Sequence, residues 1–196
     1  MACTSITSGR NESCKDNVGG IKNIYIGSWD SSIWEELGLR VDSYGDMIED
    51  GNLSSPISIY KFELKSDANT FEETNEVSNE NQTSFWTQTL TVSLKKQTQL
   101  SQTQIEIMSK GQVFVIIEDY NGSYRVAGLY RGLDVQANTS TGGAMGDMNG
   151  YTLTMTGVSP LPAHYIDTTE GEIENIIQEG AGATTFKLET SVVSDN

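Results

Sequence analysis

The residues that most often do chemistry are few in this chain and poorly placed for it. The only histidine, His164, lies far from any nucleophile motif, so a serine or cysteine hydrolase is not indicated. Cys3 and Cys14 cannot complete a four-ligand zinc site, and we expect two free thiols or one local disulfide. His164 is expected to be a structural residue near the end of a strand.

Three loop patterns match ligand-binding motifs only in part. The sequence from Asp147 to Gly150 begins like a calcium loop, but apolar residues follow it and no glutamate closes it. The glycine-rich stretch 142–146 lacks the lysine of a phosphate loop and precedes a strand. Carboxylates in the acidic segment 66–82 could form a glycosidase pair, but a solvated loop is the simpler expectation. The sequence therefore predicts no enzyme, no metal and no cofactor.

Charge and hydropathy exclude further classes. Lys and Arg number 12 against 27 Asp and Glu, a formal net charge of −15, which disfavours a protein that grips nucleic-acid phosphates. No apolar run approaches the roughly 20 residues that a membrane-spanning helix needs. The first residues show no basic start or apolar core region, which predicts a cytosolic product.

Two segments alternate apolar and hydroxyl side chains, the period of a strand with one packed face and one wet face. In Tyr151–Thr156 the hydroxyls are Thr152, Thr154 and Thr156. In Phe85–Leu94 the apolar face is interrupted only by Gln88, and the other face carries Thr87, Thr89, Thr91 and Ser93.

The remaining pattern predicts a mainly β chain, an antiparallel β-sandwich or barrel with one central helix. The helix is expected over 97–110, with Leu100, Gln104, Ile107 and Met108 on its packed face and Gly111 as a left-handed cap. A short helix capped by Ser31 and another over 170–178 are also expected. Further strands are predicted over 21–26, 57–64, 112–118, 123–129, 133–137 and 184–188, with an Asn-Gly hairpin turn over 119–122.

The domain organisation is expected to be a single domain over 1–196. Residues 1–20 are predicted to form an N-terminal arm, 65–83 a long polar loop and 189–196 a polar tail.

From Gln112 to His164 the chain resembles the tail-tube and related tail or neck proteins of tailed bacteriophages. The resemblance rests on a buried strand, an Asn-Gly hairpin, "GLYRGL", a glycine-rich loop and "GDMNGYTLTMTG" followed by a proline and alanine. The opening "ACTSITSGR", with Cys14-Lys15-Asp16 and "VGGIK", also resembles virion proteins of phages that infect Bacteroides-like hosts.

The resemblance implies a subunit of six-membered rings that stack into a tube, in which strands of all subunits form one inner barrel around passing viral DNA. The chain would be made in the host cytoplasm and reside in the virion tail. Its partners would be further copies of itself and other tail or neck proteins, with no membrane and no specific DNA binding. The residues then expected to face the lumen are Thr87, Thr89, Thr91, Thr152, Thr154 and Thr156. Phe71 and Trp86 are the expected interface residues.

The sequence leaves two alternatives open. The chain could be another ring protein of the tail or neck. It could instead be a carbohydrate-binding β-sandwich that uses Trp29, Trp34 and tyrosines as a sugar platform, although core or interface packing is the more common use of tryptophan.

Overall fold

Strands dominate the structure, a computed structural model that describes residues 9–10, 15, 17–37, 47–48, 57–65, 68–166, 177–179 and 186–189. The strands are β1 (Ile21–Ser28), β2 (Met47–Ile48), β3 (Ile57–Glu63), β4 (Thr70–Ser78), β5 (Thr83–Lys95), β6 (Gln112–Asp119), β7 (Tyr124–Ala127), β8 (Leu133–Ser140), β9 (Gly150–Ser159), β10 (His164–Ile166), β11 (Ile177–Glu179) and β12 (Phe186–Leu188). The helices are α1 (Ser31–Leu37) and α2 (Gln99–Lys110).

The sheet folds over on itself into two layers, and the predicted mainly β, sandwich-like class is confirmed. The strand order is β11-β12-β3-β1-β6-β8-β9-β5-β4, with β7, β10 and β2 branching from β6. The layers are joined where β6 meets β8 through two residue pairs, Gln112 with Asp134 and Val113 with Leu133. Over the described residues the sheet is not closed into a barrel.

The main core fills the space between the two layers. One layer contributes aliphatic residues of β1 and β6, and the other contributes those of β5, β8 and β9. A second cluster covers the outer side of the β1–β3–β6 layer and includes Phe114, Ile59 and residues of α1, β7 and β10. β1 runs through Gly27, where the sequence predicted its end, and Gly27 pairs with Ile59 and Phe114. Glycine fits here because a Cβ would lie 2.4 Å from the Phe114 ring.

Helix α2 packs on the sandwich, but with a different face from the predicted one. Ile105 is buried and Met108 packs against the main core, whereas Leu100 and Ile107 are each 60% exposed. Thr98 caps the helix by accepting the Ser101 N–H at 3.2 Å. Gly111 follows with φ of −118°, so the predicted left-handed cap is wrong. The chain enters an extended conformation here because β6 begins one residue later.

The predicted long loop over 65–83 is wrong for most of its length, because Thr70–Ser78 is strand β4. It pairs antiparallel with β5 over nine residue pairs and makes a hairpin with a turn at 79–82. The short helix α1 is present, but Asp30 rather than Ser31 caps it, since the Asp30 carboxylate accepts the Ser32 N–H at 2.8 Å.

The ends of the chain are described only in part. The 17–20 segment of the predicted arm runs along the β6–β7 turn, where Val18 exchanges two hydrogen bonds with Asn121. The predicted helix over 170–178 lies outside the described residues except for 177–178, which belong to strand β11. Cys3, Cys14 and residues 190–196 lie outside the described residues.

Candidate functional site

The two threonine-bearing strands are neighbours and stand in register. Across the β5–β9 pair, Thr89 lies opposite Thr156, Thr91 opposite Thr154, and Ser93 opposite Thr152. Thr87 continues the β5 row opposite Val158. The six threonines that the sequence singled out are therefore brought onto one face of one layer.

Polar residues of the flanking strands widen this surface to four strands. On β8, Asp134, Gln136 and Asn138 lie opposite the three threonines of β9. On β4, Thr70, Glu72 and Thr74 lie opposite Thr91, Thr89 and Thr87. We call these side chains of β8, β9, β5 and β4 the hydroxyl face.

The hydroxyl face is open to solvent. Its flanking side chains on β4 and β8 are exposed. On the two central strands Thr156 is exposed and the other five threonines are half-buried, as expected of neighbours that shield one another on an uncovered sheet. The charges on the face are acidic: Glu72 and Asp134 lie at the outer ends of one row, and Glu76 accepts the Thr87 hydroxyl at 2.9 Å. This surface can bind water and repel polyanions.

The reverse side of the same strands explains why the face is regular. Leu90, Val92, Leu153 and Met155 are fully buried in the main core. Because successive strand residues point to opposite sides, burying these residues fixes the register and forces the hydroxyls outward. A slip of one residue would exchange the two faces.

Gln88, the one interruption of the apolar pattern on β5, is a buried structural bridge. Its amide donates to Glu73 Oε1 at 3.1 Å, and its carbonyl oxygen accepts the Gly128 N–H at 2.9 Å. The same Glu73 oxygen accepts the Ala163 N–H at 2.7 Å. These bonds tie edge strand β4 to two loops of the opposite layer.

The four-stranded layer ends in two edges that have no strand partner in the described residues. One edge is β4, which pairs only with β5. The other is β8 beyond Asp134, because β8 meets β6 only at its first two residues. Unpaired backbone along an edge is a template for another strand.

The predicted interface residues lie on the core side of this layer. Phe71 of β4 is half-buried against the main core and lines a cleft of about 330 Å³ between β4 and the ends of β1 and β6. Trp86 of β5 is half-buried opposite Asn75 and Ser159, near the end of the layer.

The aromatic platform of the carbohydrate alternative is partly present. Trp29 lines an open groove of about 400 Å³ with Ser31, Glu35, Tyr130 and Arg131. The Trp29 indole N–H is used internally, donating to the Leu129 carbonyl at 2.9 Å, and the ring packs against the second cluster. The side chain of Trp34 lies outside the described residues.

Asp147 bonds within its own loop, and His164 is buried. Asp147 Oδ2 accepts the N–H groups of Gly143 and Ala144, each at 2.8 Å, and these bonds hold the pKa of Asp147 below its usual range. The carboxylate is thus used to shape the 141–149 loop. His164 is the first residue of β10, and that it is structural stays a prediction.

A buried carboxylate on β6 joins the strands of the other layer. Glu118 accepts hydrogen bonds from Lys22 at 2.5 Å, Asn23 at 2.7 Å and Tyr25 at 3.2 Å. Burial disfavours its charge, but the bonds and the positive charge of Lys22 outweigh burial and hold the pKa of Glu118 below its usual value. Burial and the negative charge of Glu118 raise the pKa of Tyr124 to about 12. The sequence did not single out this network, because Glu118 is 95 or 96 residues from its partners Asn23 and Lys22.

In the part of the chain that the structure describes, no three His, Cys, Asp or Glu side chains come together as a metal site. None of the described helices is long and apolar enough to cross a membrane. No protein-family model matches the sequence, and neither the curated proteins nor the solved structures include one with significant similarity to it.

Proposed function

We propose that this chain is a non-catalytic structural subunit of a bacteriophage virion, the major tail tube protein, whose stacked six-membered rings conduct DNA. The observation that carries the proposal is the in-register hydroxyl face on a layer whose two edges have no strand partner among the described residues. Together with the resemblance of residues 112–164 to tail-tube and neck proteins, it favours a wall that is completed by further copies.

The strand directions fit a ring. The order β8-β9-β5-β4 is antiparallel throughout, so the two edge strands β8 and β4 run in opposite directions. When copies are related by rotation about an axis along the strands, β4 of one copy meets β8 of the next in antiparallel orientation. This head-to-tail contact satisfies both edges and closes when the rotation closes.

Charge favours a contact between β4 and β8 of neighbouring copies over a contact between two β4 strands. β4 carries Glu72, Glu73 and Glu76, whereas the free part of β8 carries the neutral Gln136 and Asn138. Two β4 strands would bring like charges across an interface, which is destabilising. Charge therefore favours the ring contact over a dimer formed by two β4 strands.

The chemistry of the hydroxyl face suits a channel for DNA. Hydroxyls exchange hydrogen bonds readily with water, and the carboxylates repel phosphates. Lys95 lies on the same side at the end of β5, and among the described residues the rows between Thr87 and Ser93 carry no basic side chain. DNA would pass along such a wall without specific binding.

Electron microscopy of the purified full-length chain tests the proposal. We expect rings or tubes with a central channel, and a particle that stays monomeric at high concentration would contradict it. Rings that never stack in the purified chain, but are found at the tail end or neck of virions, would instead identify another ring protein of the tail.

Carbohydrate binding is the second candidate, favoured only by the groove that Trp29 and Tyr130 line. It predicts a monomer that binds glycans saturably and loses binding in Tyr130→Ala. A glycan array with the wild-type chain decides it, because a tail-tube subunit is expected to give no glycan signal there.

A further inference from the structure

The four-stranded layer has two ends of opposite character along the strand direction. The first, which we call the lysine end, lies where β5 stops and β9 starts. Lys95 donates to the Lys65 carbonyl at 3.3 Å, and the Lys96 N–H donates to the Asn149 carbonyl at 2.7 Å. Lys65, Lys95 and Lys96 are all exposed, so three of the chain's 12 basic residues concentrate here in a protein of net charge −15.

The lysine end also carries an apolar projection. Met145 is fully exposed and Met148 is 38% exposed on the 141–149 loop. Several hydrogen bonds hold the loop. The Asp147 carboxylate accepts two backbone N–H groups, and the Asp147 N–H donates to the Ala144 carbonyl at 3.1 Å. The Lys96 N–H also donates to the Asn149 carbonyl. An ordered loop that presents methionine to solvent loses little conformational entropy when it docks.

The opposite end, which we call the acidic end, lies at the turn between β4 and β5. Glu76 and Glu80 are exposed there. Phe85 of β5 and Val158 of β9 are 37% and 42% exposed, whereas Val77 of β4, opposite Ser84, is exposed on the other side of the sheet. Phe85 is diagonal to Val158, because Val158 lies opposite Thr87, so the two side chains are within contact range on one face. From Phe85 to Lys95 the strand spans about 33 Å, which separates the two ends.

We infer that the lysine end of one copy docks on the acidic end of a second copy, with Met145 against Phe85 and Val158. Charge complementarity selects this occupant: lysine meets glutamate, and an apolar projection meets an apolar patch. Two lysine ends, or two acidic ends, would oppose like charges. The contact joins different surfaces and translates along the strands, so it repeats without closing.

This inference rests on the proposed function, in which it supplies the axial contact between stacked rings. The lateral contact uses the strand edges β4 and β8, and the axial contact uses the strand ends. The two contacts therefore involve different side chains and can be disrupted separately.

The experiment measures assembly of the full-length chain by sedimentation velocity and electron microscopy. For Met145→Asp we expect rings that do not stack, or tubes that require at least about tenfold higher protein concentration, the cost of removing an apolar anchor. Met145→Leu keeps the apolar contact and should stack like the wild type. Circular dichroism establishes that both variants are folded.

A charge exchange tests the partner. Lys95→Glu and Glu80→Lys should each weaken stacking, whereas an equimolar mixture of the two should restore it, because every joint of an alternating stack is again complementary. Lys61→Glu, on β3 and away from both ends, is the control for added negative charge.

The outcomes separate the two proposals. Wild-type tubes with unchanged stacking in Met145→Asp and Lys95→Glu would overturn the axial contact and leave the proposed function standing. A wild-type chain that forms neither rings nor tubes would overturn the proposed function and the axial contact with it.

Discussion

Thr91 of β5 and Thr154 of β9 lie directly opposite each other in the middle of the hydroxyl face. Their row continues to Gln136 on β8 and Thr70 on β4, so it crosses four strands without a charge. A single cation placed in this row would change the chemistry of the whole wall, since a ring repeats it in every copy.

Thr154→Lys tests the assignment of this face to the lumen. We expect the variant to fold and assemble, because Thr154 is half-buried on the uncovered side, but to give particles that eject DNA poorly, since each lysine can bind a phosphate. Ejection assays on particles carrying the variant check this, with Thr154→Ser as the matched control. Normal ejection by the lysine variant would remove the lumen assignment.

Leu153→Asp and Thr152→Asp test the two sides of β9. Leu153 is fully buried in the main core, so the aspartate variant loses about 2–5 kcal/mol of packing and also buries a charge. Together these costs approach the whole stability of a typical domain, about 5–15 kcal/mol. We therefore expect that Leu153→Asp does not fold and shows no cooperative unfolding transition. Thr152→Asp should fold. Urea titrations followed by circular dichroism compare them, and equal stability of the two variants would contradict the packing described.

Gln88→Ala tests the bridge between β4 and the opposite layer. The substitution leaves the buried Gly128 N–H without its acceptor, and we expect a loss of about 1–3 kcal/mol in the free energy of unfolding. Gln104→Ala, on the exposed side of α2, should change it by less than about 0.5 kcal/mol. Chemical denaturation measures both, and a Gln88 effect no larger than that of Gln104 would refute the bridge.

The Glu118 network predicts a loss of stability in acid. The pKa of Glu118 is lower in the folded chain than its usual value of 4.5. The charged carboxylate therefore stabilises the fold fully above pH 4.5, and this stabilisation is lost as the pH falls through the folded pKa. Glu118→Gln should lower the free energy of unfolding at pH 7 and flatten its decline below about pH 4.5. The exposed Glu80→Gln serves as control. Parallel curves for wild type and Glu118→Gln would exclude this role.

The local alternation of apolar and polar residues was sufficient to predict a strand where one side of that strand is fully buried. The alternation in β5 and β9 predicted both strands and their two faces, because Leu90, Val92, Leu153 and Met155 leave only one register possible. That the two strands are neighbours depends on residues over 50 positions apart, and no local pattern contains that information.

The local sequence pattern did not predict strand β4 or the packed face of helix α2. β4 has few apolar residues and lies at an edge, so its pairing with β5, not a core-facing stripe, makes it a strand. Its alternation of Thr70, Glu72 and Thr74 with Phe71 was the available signal. In α2 the apolar residues are spread around the helix, and only the position of β8 and β6 determines that Ile105 faces inward.

The strand count of the hydroxyl face sets the bore of any assembly built from it. Each copy adds four strands, or about 19 Å of circumference at the usual strand spacing. Six copies give roughly 115 Å and a backbone-to-backbone diameter near 37 Å before strand tilt widens it. Gaining or losing one copy would change that diameter by about 6 Å, so the diameter of the channel can take only discrete values.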